Sequence, residues 1–156
     1  MAKKGTTKYK SNLQENTVAK DLGGRRQINS GAFWDKPADV KTDDLLVECK
    51  TTENGYYALT LDTWLKLLHE SLKEGMRIPV MQIDLENGKT RIAVMNASSF
   101  SDCKGFEDLC TGITIYTDKK SIRIYPKILG NIISFTSYID LIAIEWKDFL
   151  EILKRR

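Results

Sequence analysis

Apolar and polar residues alternate in short runs along this chain, and the places where the alternation breaks mark its elements. In "DLLVECKTT", Leu45, Val47 and Cys49 fall on one side of a strand and Leu46, Glu48 and Lys50 on the other. The preceding "ADVKT" reads as a partner strand, joined to it by a tight turn at Asp43 and Asp44 as a hairpin. "RIPVMQIDL" and "TRIAVM" flank "ENGK", where Asn87-Gly88 is a strong hairpin signal. "RRQINSGAF" reads as a first strand running into a Ser-Gly turn.

Two stretches switch to helical spacing. In "TLDTWLKLLHESLKEG", Leu61, Trp64, Leu65, Leu68 and Leu72 form an apolar stripe that ends at Gly75. Ser11 opens an earlier helix, with Gln14 at capping-box spacing and Gly23-Gly24 as its stop. Glu15 lies on the same face of that helix as Val18 and Ala19, so its carboxylate needs a partner. Further on, "ITIYT" and "SIRIYPKIL" read as a hairpin around Asp118, Lys119 and Lys120. "NIISFTS" and "YIDLIAIEW" read as strands, and "KDFLEILKRR" as a short amphipathic end helix. The pattern predicts a mixed α/β fold, a central mixed sheet flanked by helices.

Length and charge narrow the picture. The 156 residues suit one domain, expected over residues 11–156, with residues 1–10 as a basic flexible arm. Residues 1–26 carry seven Lys or Arg against two acidic residues, a balance of +5 that leaves −2 for the rest. Positive charge gathered at one end suits an edge that follows a polyanion, and equally a solvated tail. No apolar run reaches membrane-spanning length, and no apolar segment follows the basic start; the expected compartment is the cytoplasm, with no membrane partner. Cys49, Cys103 and Cys110 are odd in number and irregularly spaced, which suits a reducing compartment. His69 has no second ligand at metal spacing and reads as a helix-surface residue.

The chemistry gathers at the first hairpin. Glu48 and Lys50 sit two residues apart on one strand face, about 6–7 Å along it. If Asp39 lies on the partner strand, its carboxylate can approach Glu48. Two adjacent carboxylates repel unless one holds a proton or a cation lies between them. A hard divalent ion such as Mg²⁺ takes oxygen ligands and phosphate oxygens together, and a neighbouring ammonium can orient the attacking water. Asp39, Glu48 and Lys50 are thus a minimal set for metal-dependent phosphodiester hydrolysis. From these three alone, a salt-bridged surface strand is an equal reading. Glu145-Trp146-Lys147 repeats the Glu-x-Lys spacing. Its upstream Asp140 is on the same predicted strand, so it reads as surface charge at a strand-to-helix junction.

Taken together, "QEN…GGRRQINSGAF…PADV…LLVECKTT" resembles the PD-(D/E)xK nuclease superfamily, and within it the archaeal-type Holliday junction resolvases, forms of which occur in bacteriophages. The resemblance covers about the first half of the chain. It departs from the family at the Pro-Asp step, which is Ala38-Asp39 here, with Pro37 one place earlier. It implies a restriction-endonuclease-like core and a Mg²⁺-dependent endonuclease, with Mn²⁺ as a substitute and no small-molecule cofactor. The substrate would be branched DNA, cut by symmetric nicks in four-way junctions by a homodimer, in a prokaryotic cell or a phage-infected host. Asp39, Glu48 and the backbone carbonyl of Cys49 would hold the metal. Lys50 would contact the attacking water or scissile phosphate, and Glu15 would support the metal or its water shell. Arg25 and Arg26 would grip the DNA backbone, with Ser30 near the scissile phosphate. Two alternatives stay open: another endonuclease of the superfamily, restriction-like or nicking, and a catalytically silent DNA-binding module.

Overall fold

The computed structural model describes residues 6–27, 38–117 and 119–156. Helix α1 spans Thr7–Leu22. It begins a turn earlier than the sequence predicts, because the Thr6 hydroxyl caps it by accepting the backbone N–H of Tyr9 at 3.2 Å. Residues 7–10, expected in the arm, are therefore its first turn. Gly23 ends it at φ 63°, a left-handed conformation that suits a residue without Cβ, and the Gly24 N–H closes back on the Ala19 carbonyl at 2.8 Å.

The strands follow in order: β1 Arg25–Arg26, β2 Val40–Lys41, β3 Leu45–Thr51 and β4 Tyr57–Thr60, then helix α2 Leu61–Lys73. After α2 come β5 Ile78–Leu85, β6 Thr90–Asn96, β7 Thr114–Tyr116, β8 Ser121–Ile124, β9 Ile132–Thr136, β10 Ile139–Glu145 and helix α3 Trp146–Lys154. Among the described residues, eight strands form one mixed sheet in the order β1-β2-β3-β5-β6-β10-β9-β7. β4 and β8 form a separate two-stranded sheet. The mixed α/β class expected from the sequence is the fold observed. β3 and β5 run parallel, joined through β4 and α2, while β5–β6 and β6–β10 are antiparallel.

Both faces of the central strands are buried, as the parallel pair requires. On one side Leu46, Met81 and Ile83 pack under α2 and the β4–β8 sheet, against Trp64, Leu67 and Leu59. On the other, Val47, Val80 and Met95 pack under α1 and α3, against Val18, Trp146 and Phe149. The Glu48–Lys50 face of β3 therefore begins inside a second core, at Leu46. The strand runs from buried to partly exposed along its length.

Three expectations are corrected. The buried face of α2 is Trp64, Leu67 and Ser71, with Leu65 and Leu72 exposed. "ITIYT" and "SIRIYP" do not pair with each other: β7 joins β9 in parallel and β8 pairs antiparallel with β4. And β4 itself, within "YYALT", is a strand the apolar pattern was too short to announce. The Asn87-Gly88 hairpin and the closing helix stand where predicted. No helix among the described residues is long and apolar enough to cross a membrane.

Candidate active site

The Asp43–Asp44 turn does what its sequence suggests. The Thr42 hydroxyl accepts the N–H groups of Asp44 and Leu45, and the Thr42 N–H bonds the Leu45 carbonyl, folding β2 back onto β3. Only two residue pairs hold the strands together, Val40 with Val47 and Lys41 with Leu46. Beyond them the strands part, and Asp39 stands at the fork. Its backbone N–H still reaches the Val47 carbonyl at 3.0 Å, while its carboxylate accepts the Cys49 backbone N–H at 2.8 Å.

That placement brings the predicted residues together. Asp39 and Glu48 are joined by a side-chain hydrogen bond, and the Lys50 ammonium lies 3.6 Å from Glu48. Burial pushes the Glu48 carboxyl up to about 7, the Asp39 charge and hydrogen bond push the same way, and Lys50 pulls it down.

Two residues that the sequence reading missed face this group. Glu70, on α2, accepts the Ala38 backbone N–H, and its carboxyl is raised by burial against the pull of Lys66, with the Asp39 charge adding to the rise. Tyr57, on β4, has its phenol pushed up by burial, with Lys50 lowering it and Glu48 raising it further. Glu70 had a weak signal as a carboxylate between turns of an apolar stripe; Tyr57 had none. Glu70 also bears on the departure from Pro-Asp. Ala38 is buried at φ 58°, where a proline ring cannot go, and its N–H is the donor to Glu70.

Glu15 is placed differently. It is buried under α1 and forms an ion pair of 3.0 Å with Arg26, which also bonds the side chains of Asn12 and Asn16. By strand alternation this is the Cys49 side of β3, opposite Glu48. Burial raises the Cys49 thiol well above its ordinary value, and the charges of Asp39, Glu15, Glu48 and Asp84 add to the rise. Asp39 and Glu15 thus meet in the field at Cys49, and Cys49 is no nucleophile. Arg26, expected to grip DNA, is turned inward to Glu15, while Arg25 is exposed. Ser30 lies outside the described residues.

Behind β3 runs a polar chain that is buried at Gln14, Gln82 and Asp84. The Gln14 amide donates to the Lys50 carbonyl at 2.7 Å and to the Gln82 side-chain oxygen at 2.6 Å. Gln82 donates to Asp84, which accepts from Arg91, and Arg91 reaches Asp21 on α1. Asp21 in turn accepts the Trp146 indole N–H at 2.9 Å. Gln14 is thus an internal tie between α1, β3 and β5, not a capping partner. Its signal was present in "PVMQIDL", where Gln and Asp break an apolar strand at alternate positions.

Among the described residues, no group of three or more His, Cys, Asp or Glu side chains is arranged to hold a metal ion. The donors present nevertheless suit a hard divalent cation. Two carboxyl groups lie close enough in a partly buried place for the charge of one to raise the other, a repulsion that a cation between them would relieve. The comparison pair Glu145–Lys147 is an exposed contact of 3.2 Å at the start of α3, as expected of surface charge. His69 is exposed on α2. Set against protein-family models and against curated proteins, the chain matches neither.

Proposed function

We propose that this chain is a metal-dependent endonuclease that cuts branched DNA, making paired symmetric nicks in four-way junctions as a homodimer. One observation carries the reading: Asp39 and Glu48, joined by a hydrogen bond, lie beside Lys50 at a fork where the chain fixes Asp39 through the Cys49 N–H. Asp39, Glu48 and the Cys49 carbonyl would hold Mg²⁺, or Mn²⁺ in its place. When bound, the cation supplies positive charge against the phosphate oxygens and acidifies nearby water.

The chain's own residues account for the remaining steps. To hold a cation Glu48 would have to be ionised, which would couple metal binding to pH. The Lys50 ammonium orients the attacking water and offsets the negative charge that grows as a P–O bond forms and the bond to one sugar oxygen breaks. Two sites related by a two-fold axis match the two strands cut at a junction. Such work belongs in the cytoplasm of a prokaryotic cell or a phage-infected host.

The test is incubation with a four-way junction and with matched linear duplex, with and without Mg²⁺. Paired nicks in the junction alone, only with metal, are the expected result. Cutting of linear duplex at a fixed sequence would favour a restriction-like enzyme, and binding without cutting in either condition would overturn the enzymatic reading.

A further inference from the structure

The small β4–β8 sheet is the part of the structure that the catalytic reading leaves unused, although it borders the site. Its inward face is core: Tyr57, Leu59, Ile122 and Ile124 pack there, and Tyr57 lies within electrostatic reach of Glu48 and Lys50. Its outward face is different. Ala58 and Arg123 pair across it, both exposed, and the Arg123 guanidinium lies 4.6 Å from the centre of the Tyr56 ring.

Positive charge runs along the segment that carries Arg123. Residues 119–127 hold Lys119, Lys120, Arg123 and Lys127 and no carboxylate, and all four are exposed. None of them is in an ion pair with a described residue. By contrast, Arg26 is paired with Glu15 and Lys50 with Glu48. Exposed cations with no ion pair to a described residue, on a segment that reaches an exposed aromatic ring, make a surface for a strand that offers phosphates and a flat base.

We propose that the outward face of β4–β8 binds unpaired nucleotides. Tyr56 and Arg123 take a base by stacking, and Lys119, Lys120 and Lys127 take the adjoining phosphates. The choice of nucleic acid rests on the endonuclease reading, since the same small sheet borders Lys50 through Tyr57 on its inward face. The surface would then hold a nucleotide that leaves its pair where the arms of a branch meet.

The experiment measures binding in EDTA by fluorescence anisotropy, using labelled oligothymidylate and a fully paired linear duplex over a range of salt. Tyr56→Ala is expected to weaken oligothymidylate binding about 5-fold or more and to leave duplex binding within about twofold. Lys119→Ala with Lys120→Ala is expected to lower the salt slope for the single strand by about 0.7 per lysine. Arg123→Lys is expected to keep that slope while losing part of the affinity. All four side chains are exposed, so thermal melting of each variant should match the parent. Unchanged oligothymidylate binding in these variants would overturn the proposal. So would polyglutamate competing as well as DNA of equal charge, which would mark a site for acidic protein. A parent that binds oligothymidylate through this face but cuts no junction sinks the enzymatic reading and leaves the surface standing. Normal cutting with unaltered binding in the variants does the reverse.

Discussion

The Asp39 carboxylate accepts the backbone N–H of Cys49 at 2.8 Å, ten residues along the chain and on the neighbouring strand. This one bond ties the fork of the hairpin to the stretch that carries Glu48 and Lys50. Asp39→Asn keeps a carbonyl oxygen for the Cys49 N–H and removes the charge. Stability is expected to stay near that of the parent while cutting is lost and DNA binding remains. Glu48 should fall from about 7 toward its ordinary 4.5, read by carboxyl NMR titration. Asp39→Ala loses the acceptor too, and should cost about 1–3 kcal/mol in denaturant melts.

Metal-free stability should depend on pH through Glu48. Its folded value of about 7 lies above the ordinary 4.5, so the folded chain holds this proton more tightly than the unfolded chain. The contribution is fully present below 4.5 and is lost as pH rises through 7, on the order of 3 kcal/mol by pH 8. Denaturation in EDTA at pH 5 and pH 8 measures it. Glu48→Gln should flatten the difference, and Mg²⁺ at pH 8 should raise the midpoint of the parent but not of Glu48→Gln.

Lys50 lowers the Glu48 value by its charge. Lys50→Ala should therefore move Glu48 above 7 while abolishing cutting and sparing junction binding. A normal cutting rate in this variant would remove Lys50 from the mechanism.

The buried chain through Gln82 should behave as a unit. Gln82→Ala leaves both the Gln14 amide and Asp84 short of a partner, and is expected to cost about 1–3 kcal/mol. Gln14→Ala and Gln82→Ala together should cost less than their sum, because they break the same bond. Paired denaturant melts of the two single variants and the double variant measure the coupling.

Introducing a Pro-Asp step should fail. Ala38→Pro demands a negative φ where the chain has 58° and deletes the N–H that Glu70 accepts. A loss of more than about 1 kcal/mol is expected. Lys147→Ala, at the exposed Glu145 pair, should change stability by less than about 0.5 kcal/mol and leave cutting unaltered.

What the sequence disclosed was local. Asp39, Glu48 and Lys50 lie on a single hairpin whose turn chemistry and period-two alternation are both written in adjacent residues. The misses come from elements that meet across the chain. Glu70 and Tyr57 approach Glu48 only because the β3–β5 crossover lays α2 and β4 over that face. The five-residue stripe on α2 was misread because leucines crowd two overlapping faces there. Ser71, small enough for close approach, takes a buried place that the pattern gave to Leu72. β7 and β8 looked like partners because they are neighbours in sequence, but each had a better match elsewhere in the fold. Glu15 was correctly marked as facing inward, but its partner Arg26 had been given to DNA.

The two carboxyl groups come from one hairpin, but the cover that alters Glu48 comes from α2, and the tie on the Lys50 carbonyl comes from α1 and β5. A nascent chain, with α1 already made, can close that hairpin before α2 and β5 arrive. Until they do, Glu48 is an ordinary solvated acid and Lys50 a loose cation. A half-made copy of this protein would carry the same three side chains without their surroundings. Completion of the fold is then the event that covers Glu48 and fixes the strand that bears Lys50.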